Sequence, residues 1–278
     1  METRKADGKN AEKLNTARER IRKFLIGSWM WFSILLGWFL ITNLLHVRPV
    51  ILPPIGDVIR SFVSLSASLP KALGISMYMT ILGFVIGTSL GVGTSIVMAY
   101  SKFFRDSFSS IFDFIRPVPI FALIPLFILW FGIGRIPQIA LILVGVSVII
   151  GVVTLDAIRN IPKIYIDAAY TLGARKKKIF STIILPSIFP HIIGSIRVGA
   201  ATAFGLDVAA EFMGSQEGLG YLMIVQQNYL KTDGIIAIVL IYSVIAFVVD
   251  RILCLVERKL TYWTERHVGG KEEFMFYE

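Results

Sequence analysis

The chain has 278 residues, of which 55% are apolar and only 17% charged, with a mean hydropathy of +0.71 and a formal net charge of +9. A soluble domain carries roughly 25% charged residues, and it lacks the charge-free runs found here at 24–47, 72–101, 117–134, 136–155 and 234–249. Composition therefore excludes an ordinary soluble domain, and the single cysteine, Cys254, excludes an intrachain disulfide and has no metal-ligand companions.

A helix needs about 20 apolar residues to cross the hydrocarbon core. The runs predict an all-α membrane protein with six spans, at roughly 24–46, 73–100, 108–131, 137–156, 190–213 and 234–255. Residues 1–23 read as a polar, basic tail, 24–256 as the transmembrane domain and 257–278 as a second tail. The first run, with Trp29, Trp31 and Trp38, exceeds the 7–15 or so residues of a signal-peptide core and ends without a small-residue cleavage site. Pro53-Pro54 lead into an amphipathic stretch near 57–69. In the second span Gly83, Gly87 and Gly91 recur every four residues, a spacing that suits close helix packing. Pro117, Pro119 and Pro125 predict kinks in the third span. The fifth is the least hydrophobic, interrupted by Arg197, Asp207 and Glu211. No run alternates as the strands of a membrane barrel do.

Six spans put both termini on one side. With the N-terminus inside, 21 of the 28 Lys and Arg residues fall on the cytoplasmic side, at 1–23, 101–106, 157–189 and 251–278. The positive-inside rule therefore assigns both ends to the cytoplasm. The positive charge is thus a topology signal with attraction to lipid headgroups, and not a nucleic-acid footprint.

Ionisable groups within spans are costly and often functional. Asp113 and Arg116, three residues apart, are expected to pair along one helix, or else Arg116 faces a path and favours an anion. Asp207 and Glu211, four apart, share a helix face and need a cation, water or protonation. Arg197 lies about 15 Å from Asp207 along the axis, too far to pair with it. Arg116, Arg197, Asp207 and Glu211 are the candidate path or gate residues, with Glu211 favoured as a contact near the outer mouth and Asp207 as a group facing the path. No nucleophile, carboxylate pair or metal cluster suggests catalysis, and there is no phosphate-binding loop.

The most informative stretch is the 157–189 loop. Asn160 or a neighbour is expected to cap a short helix, with Pro162 in its first turn. Ile164, Ala168 and Leu172 then share a face, and Gly173 suits the left-handed residue that ends a helix. A second helix is expected from Arg175 to Leu185, stopped or kinked by Pro186, and Lys176, Lys177 and Lys178 read as a solvated cluster or a docking patch.

Ala168-Ala169, three residues, Gly173, nine residues and Ile183-Ile184-Leu185-Pro186 match the spacing of the cytoplasmic loop in permease subunits of binding-protein-dependent ABC importers. Asp167 stands where that family has glutamate. Pro117-Val118-Pro119, the Ile124–Gly134 segment, Val208-Ala209-Ala210-Glu211 and Gly218-Leu219-Gly220 resemble the nitrate/sulfonate/taurine branch, and the 230–263 end is most similar to taurine-type permeases. The resemblance implies a type I importer permease fold with a cytoplasmic coupling helix. It implies ATPase-coupling roles for Asp167, Ala168, Ala169, Leu172, Gly173, Leu185 and Pro186. It further implies a second permease copy, two separate ATPase subunits that use ATP and Mg, and a periplasmic or lipid-anchored binding protein. This chain would bind no cofactor itself and would sit in the inner membrane. A self-contained secondary transporter or channel, and a membrane scaffold, are the rival classes.

Overall fold

The computed structural model describes residue 27, residues 29–45 and residues 47–262. The tail expected at 1–23, most of the one expected at 257–278, and His46 lie outside the described residues. The described chain is helical, with no strand. Its described residues divide into two compact units, those up to residue 66 with 226–237, and those of 67–225 with 238–262.

In the first unit, α1 (Trp29–Leu44) carries exposed apolar side chains nearly all round, including Trp29 and Trp31. That surface suits lipid contact. The Trp38 indole N–H donates to the Pro53 carbonyl at 2.8 Å, fixing the turn that follows α1. Pro54 stands at the start of α2 (Ile55–Leu65), whose first turn holds Asp57, the sign of charge that a helix N-terminus favours. The Ser61 hydroxyl donates to Asp233, and Thr232 donates to the Val50 carbonyl at 2.7 Å.

The second unit is built on α3 (Leu69–Tyr100), α6 (Arg135–Arg159) and α9 (Leu185–Gly214). Gly83, Gly87 and Gly91 of α3 lie against α6 so closely that a Cβ at each would come within 2.7–2.8 Å of Ile142, Leu143 or Ile150. The four-residue glycine spacing is thus the contact line of two helices. Leu141, Ile142, Val146 and Ile150 of α6, with Ala203 of α9, form one buried core, and Met98, Leu155 and Ile188 anchor a second toward the opposite end of the bundle.

Among the described residues four helices are long and apolar enough to cross a membrane: α3, α6, the continuous 39-residue stretch Lys176–Gly214, and α11 (Thr232–Leu260). The expected third span is not a single helix. It is α4 (Lys102–Ile115) and α5 (Ile124–Phe131, preceded by a tight 3₁₀ turn at Ile120–Leu123), bent by 86°. Pro117 and Pro119 both lack a donor within one turn, which breaks the helix and does more than kink it. Pro125 sits in the first turn of α5, where a missing N–H costs nothing. Counting the bent pair as one gives five spans among the described residues.

The region around Pro186 also departs from expectation. A short helix α8 (Lys176–Ile179) runs through a widened turn at Phe180–Ile184 straight into α9, with Pro186 in the first turn of α9. An i→i+5 turn just before a proline frees the carbonyl that the ring would strike, so the helix continues.

Candidate functional site

The 160–191 segment forms an open concave surface on the second unit. Asn160 does not cap the short helix. It closes α6, its N–H donating to the Asp156 carbonyl at 3.1 Å. Pro162, with extended backbone, precedes α7 (Lys163–Thr171). The chain then leaves α7 through a paired hydrogen-bond ending. The Gly173 N–H donates to the Tyr170 carbonyl at 2.9 Å, and the Ala174 N–H donates to the Ala169 carbonyl at 3.0 Å. This ending needs a left-handed residue, and Gly173 supplies it at φ +76°.

α7 buries none of its residues. Ile164 is 71% exposed and Leu172, just beyond it, 87%. A soluble protein rarely leaves such a contiguous apolar patch uncovered. Between α7 and the start of α9 lies an open cleft of about 750 Å³. Tyr165, Ala168, Ala169 and Leu172 line one wall, and Ile183, Pro186, Pro190 and His191 the other. The structure therefore brings Ala168, Ala169, Leu172 and Pro186 to one surface. Asp167 is exposed, Gly173 forms the turn, and Leu185 packs inward against the second core. Lys176 is not simply solvated: its ammonium lies 5.0 Å from the Tyr100 ring centroid, and Tyr100 meets Phe180 edge-on.

Behind this surface, charged side chains tie the helices together. Asp113 and Arg116 do not pair with each other. Asp113 binds Arg159 at 2.9 Å and Arg116 binds Asp156 at 3.1 Å, so both reach across from α4 to α6. Arg197 likewise reaches from α9 to α11, where Asp250 holds it through two contacts of 2.5 and 2.8 Å and Glu257 lies at 3.5 Å.

At the other end of the bundle, Asp207 and Glu211 are almost wholly buried. Glu211 accepts the Ser76 hydroxyl at 2.7 Å and the Gly220 N–H at 2.5 Å, while the Leu219 N–H donates to Ser76 at 2.8 Å. The carboxylate thus caps the start of α10 (Leu219–Asn228) and pins it to α3. A Cβ at Gly220 would come within 2.8 Å of Glu211, so only glycine admits this approach. Asp207 accepts the Tyr242 hydroxyl at 3.2 Å. Its side chain is buried in the interior of this chain. Among the described residues no Lys, Arg or His bridges either carboxylate.

Residues 83–262 match the family of binding-protein-dependent transport system inner membrane components. The chain belongs to that family. It is the permease subunit of an ABC importer, a multi-pass membrane protein with taurine- and sulfonate-type homologues. The taurine transport system permease protein TauC of Escherichia coli (strain K12) is 28% identical over 237 residues, covering 83% of this chain and 86% of that protein. A putative aliphatic sulfonates transport permease protein, SsuC of Bacillus subtilis (strain 168), is 32% identical over 234 residues, covering 84% of this chain and 85% of its own length. The fold is also that of a chain in the crystal structure of a bacterial alginate ABC transporter in complex with an alginate pentasaccharide-bound periplasmic protein. The TM-score is 0.53 and the identity 17%, over 86% of this chain and 97% of that one.

The matched region holds the whole α7 loop and both buried carboxylates of this permease. Sequence reasoning passed over Asp156, Arg159, Asp250 and Glu257, the partners of the charges it singled out. Asp250 carried a visible signal, as the first charge after the 234–249 run. Ser76 carried none, being one hydroxyl among several in a long apolar helix.

Proposed function

We propose that this permease forms, with a second copy of itself, the path for a small organic anion of the sulfonate class, such as taurine. Separate ATPase subunits drive it by gripping α7. The single observation that carries this reading is the exposed apolar face of α7, held by a rigid glycine ending and backed by an open cleft. A short helix fixed between α6 and the Lys176–Gly214 helix acts as a lever, because a rigid-body shift of α7 tilts both long helices. The relatives are named for transport of taurine and of aliphatic sulfonates, which supports the substrate class.

In this reading the chain carries out no catalysis and binds no cofactor, and ATP and Mg belong to the partner ATPases. A binding protein outside the membrane delivers the substrate. Both termini face the cytoplasm, as the concentration of Lys and Arg on the α7 side argues. Asp167, Ala168, Ala169 and Leu172 meet the ATPase, Gly173 sets the helix exit, and Leu185 and Pro186 hold the second wall. Arg116 and Arg197 act as ties between helices, and Glu211 locks the outer end.

The test is Gly173→Pro, which cannot adopt φ +76°, beside Ala168→Asp, which places a charge in the contact. Both variants are expected to insert normally and to lose at least tenfold in substrate-stimulated ATPase activity in proteoliposomes holding permease, ATPase and binding protein. Wild-type stimulation in both variants would overturn the coupling role.

A further inference from the structure

Glu217, in the turn between α9 and α10, holds two cations at once. One carboxylate oxygen is 3.2 Å from the Lys71 ammonium at the start of α3, and the other is 2.7 Å from the Arg135 guanidinium at the start of α6. The cations outnumber the carboxylate, so the cluster keeps a net positive charge. Arg135 first, then Lys71, holds the Glu217 carboxyl below its ordinary range.

The bridge is exchangeable. The side chains of Lys71, Arg135 and Glu217 are 76%, 56% and 38% exposed, and pairs this exposed contribute little because water competes for both partners. The cluster also has space on both sides. A cavity of about 510 Å³ is lined by Arg135 and Glu217 with Met79, Ile133, Ser215 and Gln216. A second, of about 170 Å³, is lined by Lys71 and Glu217 with Ser68, Gln216 and Tyr221. A clamp that served only to tie helices would match its charges and fill its surroundings. This one has a surplus cation and the Gln216 side chain beside it, and room for a ligand of several heavy atoms. A guanidinium fork and an ammonium converging on one carboxylate are equally able to take a sulfonate.

We propose that Lys71 and Arg135 form a binding site for a small organic anion of the sulfonate or carboxylate class, and that Glu217 occupies this site until the anion displaces it. The site lies at the end of the bundle opposite α7. It rests on the reading of this chain as an anion permease, where it would be the first surface that an arriving substrate meets.

Ethanesulfonate is the probe, titrated against the full-length permease in lipid nanodiscs, with ethylammonium as the cation control. Glu217→Gln keeps the shape and removes the competing charge, and is expected to bind ethanesulfonate at least fivefold more tightly than wild type. The double variant Lys71→Gln/Arg135→Gln is expected to lose at least tenfold, with Arg135→Lys in between, and ethylammonium should bind to none. Equal affinity in wild type and Glu217→Gln, or binding to neither, overturns the site. So does a loss of binding in Glu217→Gln that matches the double variant, since that is the behaviour of a structural clamp. Uptake by the assembled transporter separates the two claims. Normal sulfonate uptake with a flat binding series sinks the site and leaves the importer reading standing. The expected binding series without any sulfonate uptake sinks the substrate class and leaves the site.

Discussion

The two ends of the helical bundle are built on opposite principles. At the α7 end, apolar side chains such as Ile164 and Leu172 stand in the open, and a local glycine ending sets the course of the backbone. At the Glu211 end, buried polar groups join one element to another: Ser76 on α3, Glu211 on α9, and Leu219 and Gly220 at the start of α10. A surface that waits for a partner tolerates exposed apolar area. A junction that must hold its own shape inside an apolar solvent satisfies its hydrogen bonds internally. The comparison assigns motion to the first end and a fixed buried junction to the second, where exchange is confined to the exposed Glu217 bridge.

Breaking the permanent end should give the largest loss of stability. Glu211→Ala strips the Ser76 hydroxyl and the Gly220 N–H of a buried acceptor and is expected to cost about 3 kcal/mol, read as a drop in thermal unfolding temperature in nanodiscs. Gly87→Val drives a branched side chain into the Leu143 backbone and Val146, and is expected to cost about 2 kcal/mol by overpacking. The same unfolding measurement checks it, and no loss would mean that α3 and α6 are less closely seated than described.

The α7 end should respond in the opposite sense. Leu172→Ser is expected to change stability by less than about 0.5 kcal/mol, as a surface substitution does, while lowering substrate-stimulated ATPase activity severalfold. A large loss of stability there would erase the contrast between the two ends. The smallest effect is a pH dependence at Glu217. Its carboxyl is held low in the folded state, so the stabilisation it brings is complete above the ordinary carboxylate range and is lost as pH falls through the lowered value. The difference in unfolding temperature between wild type and Glu217→Gln should therefore be small at pH 6 and shrink as pH falls below the ordinary carboxylate range.

Much of the local structure was legible in particular residues. The charge-free runs mark the long helices because a bilayer core excludes unpaired charge. Gly173 marks the end of α7 because a left-handed turn favours a residue without Cβ. The Gly83-Gly87-Gly91 row marks a helix contact because nothing larger fits. Two local readings failed for local reasons. Pro117 and Pro119 together broke a helix that either alone would have kinked, and the turn at 180–184 absorbed Pro186.

What the sequence alone determined is the set of properties that depend on neighbours along the chain: helices of membrane length, a basic bias at the α7 side, and a short helix closed by glycine. What only the tertiary structure decided is which group meets which across helices. Asp113 passes over Arg116 for Arg159, 46 residues away, and Arg197 finds Asp250, 53 residues away. Asp207 and Glu211 share a face as their spacing requires, yet only the packing of α3, α10 and α11 against that face buries them. The physical reason is the same in each case. Helical periodicity sets the direction of a side chain on its own helix, but the partner that awaits it depends on how the helices dock, and that follows from the shape of whole packed surfaces.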